Sequence, residues 1–215
     1  MQYIKNLFFS IQEIILIMLV QYILLLSCFF LYGLYKSIIL GTIILSIFEI
    51  IYIVIKLNGN NFSFKLNYFP YILIGTSLSI IYNMIIFKFG IKFEVTNIPL
   101  IIEIIASGII GPVFEEVLFR YSLVNKLSKF NSKNLCIIVS SFIFAICHNT
   151  LITIIYAFII GLFNSYFYIK KKDILVPITL HITANVMSCF LFGFNLYILI
   201  LGFVLLILGI ISSKK

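Results

Sequence analysis

The sequence predicts an all-α membrane bundle of about eight transmembrane helices, on three observations. Of its 215 residues, 63% are hydrophobic and 10% are charged, against roughly 45–50% and ~25% in soluble domains. The mean hydropathy is +1.21. Lysines and short polar segments cut the chain into apolar runs near the roughly 20 helical residues that cross a ~30 Å hydrocarbon core. This composition excludes a soluble enzyme, a disordered chain and a nucleic-acid-binding domain. The net charge of +8 is then a topology signal, because lysines flank the apolar runs.

Eight runs follow in order. The first, 14–35, is too long for the core of a cleavable signal peptide, and no small-residue cleavage site follows it. The next are 37–55 and 68–87, followed by a long fourth run, 98–125, that holds Glu103, Glu115, Glu116 and Arg120. The last four are 135–149, 151–169, 174–192 and 197–211. Only His148, Asn149 and Thr150 separate the fifth from the sixth. Backbone groups in lipid must bond within their own segment, so these runs are helices. Cys28, Cys136, Cys147 and Cys189 sit inside apolar runs without C-x-x-C spacing, as small buried hydrophobes do. There is no internal repeat, and 1–215 reads as one integral membrane domain.

The lysines orient the bundle. With the N-terminus in the cytoplasm, Lys5, Lys56, Lys65, Lys126, Lys129, Lys133, Lys170, Lys171, Lys172, Lys214 and Lys215 face inward, and Lys36, Lys88 and Lys92 face outward. The positive-inside rule thus predicts both termini in the cytoplasm.

Ionisable groups at membrane depth cost at least ~2.5–3.5 kcal/mol each, so they persist where they are paired or functional. The single arginine, Arg120, and both histidines, His148 and His181, fall inside runs. Glu115 lies about 15 Å from the lysine-rich end of its run, His148 about 21 Å and His181 about 14 Å. Three helices therefore bring an acid and two imidazoles to similar depth, which favours access from the lysine-rich side. Glu116 and Arg120, four apart, share a helix face, and so do His181 and Asn185. A staple role for the Glu116–Arg120 pair and plain interhelical contacts for the histidines are the structural alternatives. Glu49 and Glu103 read as structural or gating contacts. Glu13 and Glu94 read as interface residues.

Three segments then carry a resemblance. Glu115-Glu116-Val117-Leu118-Phe119-Arg120 resembles an E-E-x-x-x-R motif, Phe144 to His148 an F-x-x-x-H motif, and His181 to Asn185 an H-x-x-x-N/D motif. In this order, on separate spans, they are similar to the CAAX protease and bacteriocin-processing (CPBP) family over residues 100 to 190. Tyr121 stands where members commonly have glycine. The resemblance implies an intramembrane endopeptidase with a core of about 98–192. Its implied site is Glu115, Glu116, Arg120, His148, His181 and Asn185.

Peptide hydrolysis needs an activated water and an oxyanion stabiliser. On this reading Glu115 is the general base and His148 holds the same water. His181 and Asn185 donate to the oxyanion, and Arg120 holds Glu116. Two cofactor readings stay open. Either no cofactor is required, or a divalent metal such as zinc is held by Glu115, His148 and His181. The absence of H-E-x-x-H favours the first. The expected setting is a bacterial cell membrane, with the lipid bilayer and a membrane-associated leader, signal-remnant or prenylated peptide as partners and no nucleic acid. A bacteriocin self-immunity role, a transporter or non-proteolytic membrane partner, and acyl-transfer chemistry are the alternatives.

Overall fold

A computed structural model describes residues 2–60, 67–91, 98–190 and 193–214, without the side chains of 2–6 and 31–37. The readings on Lys65, Lys92, Glu94 and Lys215, and on the side chains of Lys5 and Lys36, lie outside these residues.

The described residues form a helical membrane bundle. Helical backbone runs through Gln2–Leu57 and contains two spans, α1 (Leu7–Phe30) and α2 (Ile38–Leu57). A straight helix would put Glu13 and Tyr52 about 58 Å apart. Instead the Tyr52 hydroxyl donates to Glu13 Oε1 at 2.8 Å and Gln21 donates to Glu49 at 3.1 Å. The two spans therefore lie side by side as a hairpin.

Six helices follow: α3 (Phe69–Lys88), α4 (residues 100–127), α5 (Lys133–Ile146), α6 (Leu151–Lys171), α7 (Leu175–Ser188) and α8 (Leu196–Ser212). The eight elements match the expected runs to within several residues at each end. The largest differences are the earlier start and end of α1 and the earlier end of α7. Among the described residues, α1, α2, α3 and α6 are long and apolar enough to cross a membrane, while α5, α7 and α8 are shorter apolar helices.

The boundary between α5 and α6 is set by chemistry at Thr150. Its hydroxyl accepts from the Thr153 amide while the Thr153 hydroxyl accepts from the Thr150 amide, a reciprocal cap that starts a helix. His148 therefore stands in a turn beyond α5 and not inside the span. At its other end α6 stops at Lys172, whose φ of 54° is left-handed.

Helix ends meet on one face. Glu13 binds Lys56 and Lys126, the Tyr121 hydroxyl donates to Asn60, and the Tyr68 hydroxyl donates to Asp173 at 2.7 Å. The lysine-bearing loops after α2, α4 and α6 thus share one end of the bundle, as alternating spans require.

Close packing relies on small residues, as is common between membrane helices. The Ser140 and Ser165 hydroxyls bond each other at 2.9 Å across α5 and α6. A Cβ on Gly161 would press on Ser141. On the other side, α3 meets α7 so closely that a Cβ on Gly75 would collide with the Leu180 carbonyl and the Thr183 hydroxyl. Gly75→Ala is therefore expected to destabilise the chain by about 1–3 kcal/mol, the usual cost of overpacking. Thermal unfolding in detergent with a thiol-reactive dye reads this directly, because Cys28 and Cys136 are free and buried. An unchanged melting point would show that the two backbones can separate at no cost.

Candidate active site

α4 carries most of the polar residues, and its backbone is unusual. The segments 104–110 and 117–124 are wound as π-helix on either side of Gly111–Glu116. Proline at 112 has no N–H to donate and crowds the preceding turn. The Gly111 N–H reaches back five residues to the Ala106 carbonyl, which is π geometry. Such wide turns are rare and are frequent at functional sites.

Glu116 and Arg120 are wholly buried. Arg120 Nε lies 3.2 Å from Glu116 Oε2, at an angle that makes this an ion pair without a hydrogen bond. Arg120 Nη2 donates to the Gly161 carbonyl at 3.3 Å, and the guanidinium lies over the Phe144 ring at 4.6 Å. The other carboxylate oxygen, Oε1, accepts from Asn164 at 2.8 Å and meets His181 Nδ1 at 2.7 Å. One carboxylate thus joins α4, α6 and α7. A buried ion pair needs further hydrogen bonds; Asn164 and His181 supply them to Oε1, while Glu116 Oε2 and Arg120 Nε and Nη1 have none among the described residues.

That bond also fixes His181. With Nδ1 turned to Glu116, Nε2 points to Glu115, 3.6 Å from its Oε2. The arrangement orients an imidazole by a carboxylate, leaving its other nitrogen for chemistry. Phe144 packs edge-on to both histidines, with ring centroids 5.0 Å from His148 and 5.7 Å from His181. Its carbonyl lies 3.1 Å from His148 Nδ1. A carbonyl can only accept, so Nδ1 carries the proton and a neutral His148 keeps its Nε2 lone pair free.

Glu115 differs from its neighbour. Its side chain is 33% exposed and lines a cavity of about 410 Å³ together with His148, Phe144, Asn149, Thr150, Thr153, Gln21 and Glu49. His148, Asn149 and Thr150 of this lining lie in the turn between α5 and α6, at the end of α5 remote from Lys133.

The structure therefore brings Glu115, Glu116, Arg120 and His181 into one chain of contacts and sets His148 in the same cavity as Glu115. It does not bring Asn185 there. Asn185 donates to the Ser107 carbonyl at 3.0 Å and lines a separate cavity with Glu103 and Tyr156. The sequence reading missed Asn164, whose signal was a lone amide in the middle of an apolar span. It also missed Gln21 and Asn149. Glu49, read only as a structural or gating contact, lines the cavity.

Comparison with known proteins bears on the same part of the chain. The family model for type II CAAX prenyl endopeptidases, Rce1-like, matches residues 97–187. This match supports the resemblance of residues 97–187 to the CAAX protease and bacteriocin-processing (CPBP) family. The matched segment contains all three motifs and excludes the α1–α2 hairpin. A protein of Bacillus subtilis (strain 168) named "Putative membrane peptidase YdiL" is 31% identical over 107 residues, covering 46% of this chain and 44% of that protein. The match thus spans less than half of that relative. No solved structure matches the chain.

The metal reading can be tested on the donors. Among the described residues, no three His, Cys, Asp or Glu side chains converge as a ligand set. His181 turns Nδ1 to Glu116 and Nε2 toward Glu115, an orientation by a carboxylate that metal-ligating histidines also have.

The contrast between the two glutamates makes a prediction. Glu116→Gln leaves Arg120 buried without a counter-charge, which typically costs about 3–5 kcal/mol. Glu115→Gln, at the half-exposed position, should change stability by less than about 1 kcal/mol. The thiol-dye melting curves of both variants in detergent measure the difference. Equal losses would refute the division of labour.

Proposed function

We propose that this chain is a multi-pass membrane endopeptidase that hydrolyses membrane-associated peptides with Glu115 as general base. The observation that supports this reading best is the shared cavity. Glu115 and His148 face one space, while Glu116, beside Glu115, is locked to Arg120, Asn164 and His181. Two adjacent carboxylates thus have separate tasks, one structural and one open to substrate.

In this mechanism His148 Nε2 accepts a hydrogen bond from a water in the cavity, and Glu115 takes that water's other proton as its oxygen attacks the peptide carbonyl. The new C–O bond forms, the C–N bond breaks, and Glu115 returns the proton to the leaving nitrogen. His181 Nε2, 3.6 Å from Glu115 Oε2, accepts a hydrogen bond from the protonated carboxyl once the two close to about 3 Å. Asn149, whose amide has no partner among the described residues, is the donor the cavity offers to the oxyanion. Asn185 serves the contact between α7 and α4 while it stays on Ser107. No step is routed through a metal. The lysine-rich face is assigned to the cytoplasm, with both termini there, and the grouping of Lys56, Lys126 and their loops supports this.

General-base catalysis is worth roughly 10²–10⁴ in rate, so Glu115→Gln should lower hydrolysis by about that factor in an intact bundle. The assay is release of new peptide termini from a peptide library by the purified chain in liposomes, followed by mass spectrometry. Retained hydrolysis in this variant would overturn the proposal. Hydrolysis by the unaltered chain should also survive a strong chelator; its loss, restored by zinc, would reinstate the metal reading.

A further inference from the structure

The wall of the cavity opposite the CPBP segment comes from the α1–α2 hairpin, through Met18, Gln21 and Glu49. The family match begins at residue 97, so this wall lies outside the matched segment. It brings a second carboxylate into a membrane cavity that already holds Glu115.

Among the described residues, no lysine or arginine lines this cavity. Arg120 is buried against Glu116, and Lys56 and Lys126 are engaged by Glu13 at the lysine-rich end. Two carboxylates without a cation are costly at membrane depth, where ionisable groups normally find a partner. Glu49 is also held in place. Gln21 Nε2 donates to its Oε1 at 3.1 Å, while its Oε2 has no partner among the described residues. Around it, Met18, Phe114, Leu118 and Phe119 offer apolar surface. A half-buried, oriented carboxylate beyond an apolar wall suits a long aliphatic stem with a charged tip, as lysine and arginine bury their methylenes and keep the head group polar. The volume of about 410 Å³ lies in the range of ligand pockets, ~300–1,000 Å³.

We propose that Glu49 is a specificity-determining residue, which binds the cationic tip of a lysine or arginine side chain of the peptide held in the Glu115 cavity. The inference rests on the endopeptidase reading for the identity of the ligand as a peptide, and on the hairpin geometry for its charge.

The test uses the full chain carrying Glu115→Gln, in liposomes, so that bound peptide is not consumed. Two fluorescent nine-residue peptides differ only at the centre, lysine in one and norleucine in the other. The lysine peptide is expected to bind about tenfold more tightly, a difference of about 1.4 kcal/mol. Acetylating its lysine should remove the preference without any change to the protein. Adding Glu49→Gln should bring the ratio to about one, and Glu49→Asp should keep a preference for lysine. Equal binding of the two peptides with Glu49 present overturns the inference, as does an undiminished preference with Glu49→Gln. The endopeptidase reading is judged separately, by incubating both peptides with the chain that retains Glu115. Lysine preference without cleavage of either peptide would sink that reading and leave the cation site. Cleavage without preference would do the reverse.

Discussion

Everything in the polar core depends on keeping one glutamate ionised inside a membrane bundle. Glu116 has no exposed surface, and water cannot solvate it. Arg120 lies 3.2 Å from its Oε2, and Asn164 and His181 both bond its Oε1. Each of these partners comes with a helix attached. α6 must approach through Asn164 and the Gly161 carbonyl, and α7 through His181. The cost of an unpaired buried charge therefore acts as a positioning force on three helices at once.

The smaller residues make that approach possible. Gly161 lets α5 pass close enough for Ser140 to reach Ser165, and the same residue's carbonyl accepts from Arg120. Closing α5 onto α6 puts the Phe144 ring under the guanidinium and its carbonyl under His148. The phenylalanine of the F-x-x-x-H segment thus has three contacts to make, which explains why an aromatic residue stands four positions before the histidine. The capped turn at Thr150 then fixes the depth at which that histidine is presented.

A cavity next to this rigid core is framed by less constrained parts. Glu115 keeps a third of its surface free, and the α1–α2 hairpin lines the space from outside the matched segment. The hairpin is anchored at its lysine-rich end by Glu13, which bonds Lys56, Lys126, Ser122 and Tyr52. The same chain therefore separates two tasks in space. Residues of α4 to α7 hold the chain of polar contacts, and α1 with α2 supply the facing wall of the cavity.

The sequence by itself determined the membrane bundle, because apolar runs of this length have no other way to satisfy their backbone. It also determined which side chains matter, since a single arginine, two histidines and a pair of adjacent glutamates stand out against so apolar a background. The Glu116–Arg120 pair was legible from its spacing of four on a helix. Tertiary structure alone decided the rest. It turned His148 out of α5, through a cap between threonine side chains whose effect on depth no periodicity reveals. It directed Asn185 to the Ser107 carbonyl, although its spacing from His181 fits a shared face equally well. It brought Gln21 and Glu49, more than sixty residues before Glu115, to the same cavity. Spacing along one helix is local and can be read from the chain, whereas the meeting of separate helices is set by packing and by where buried charge must find its partners.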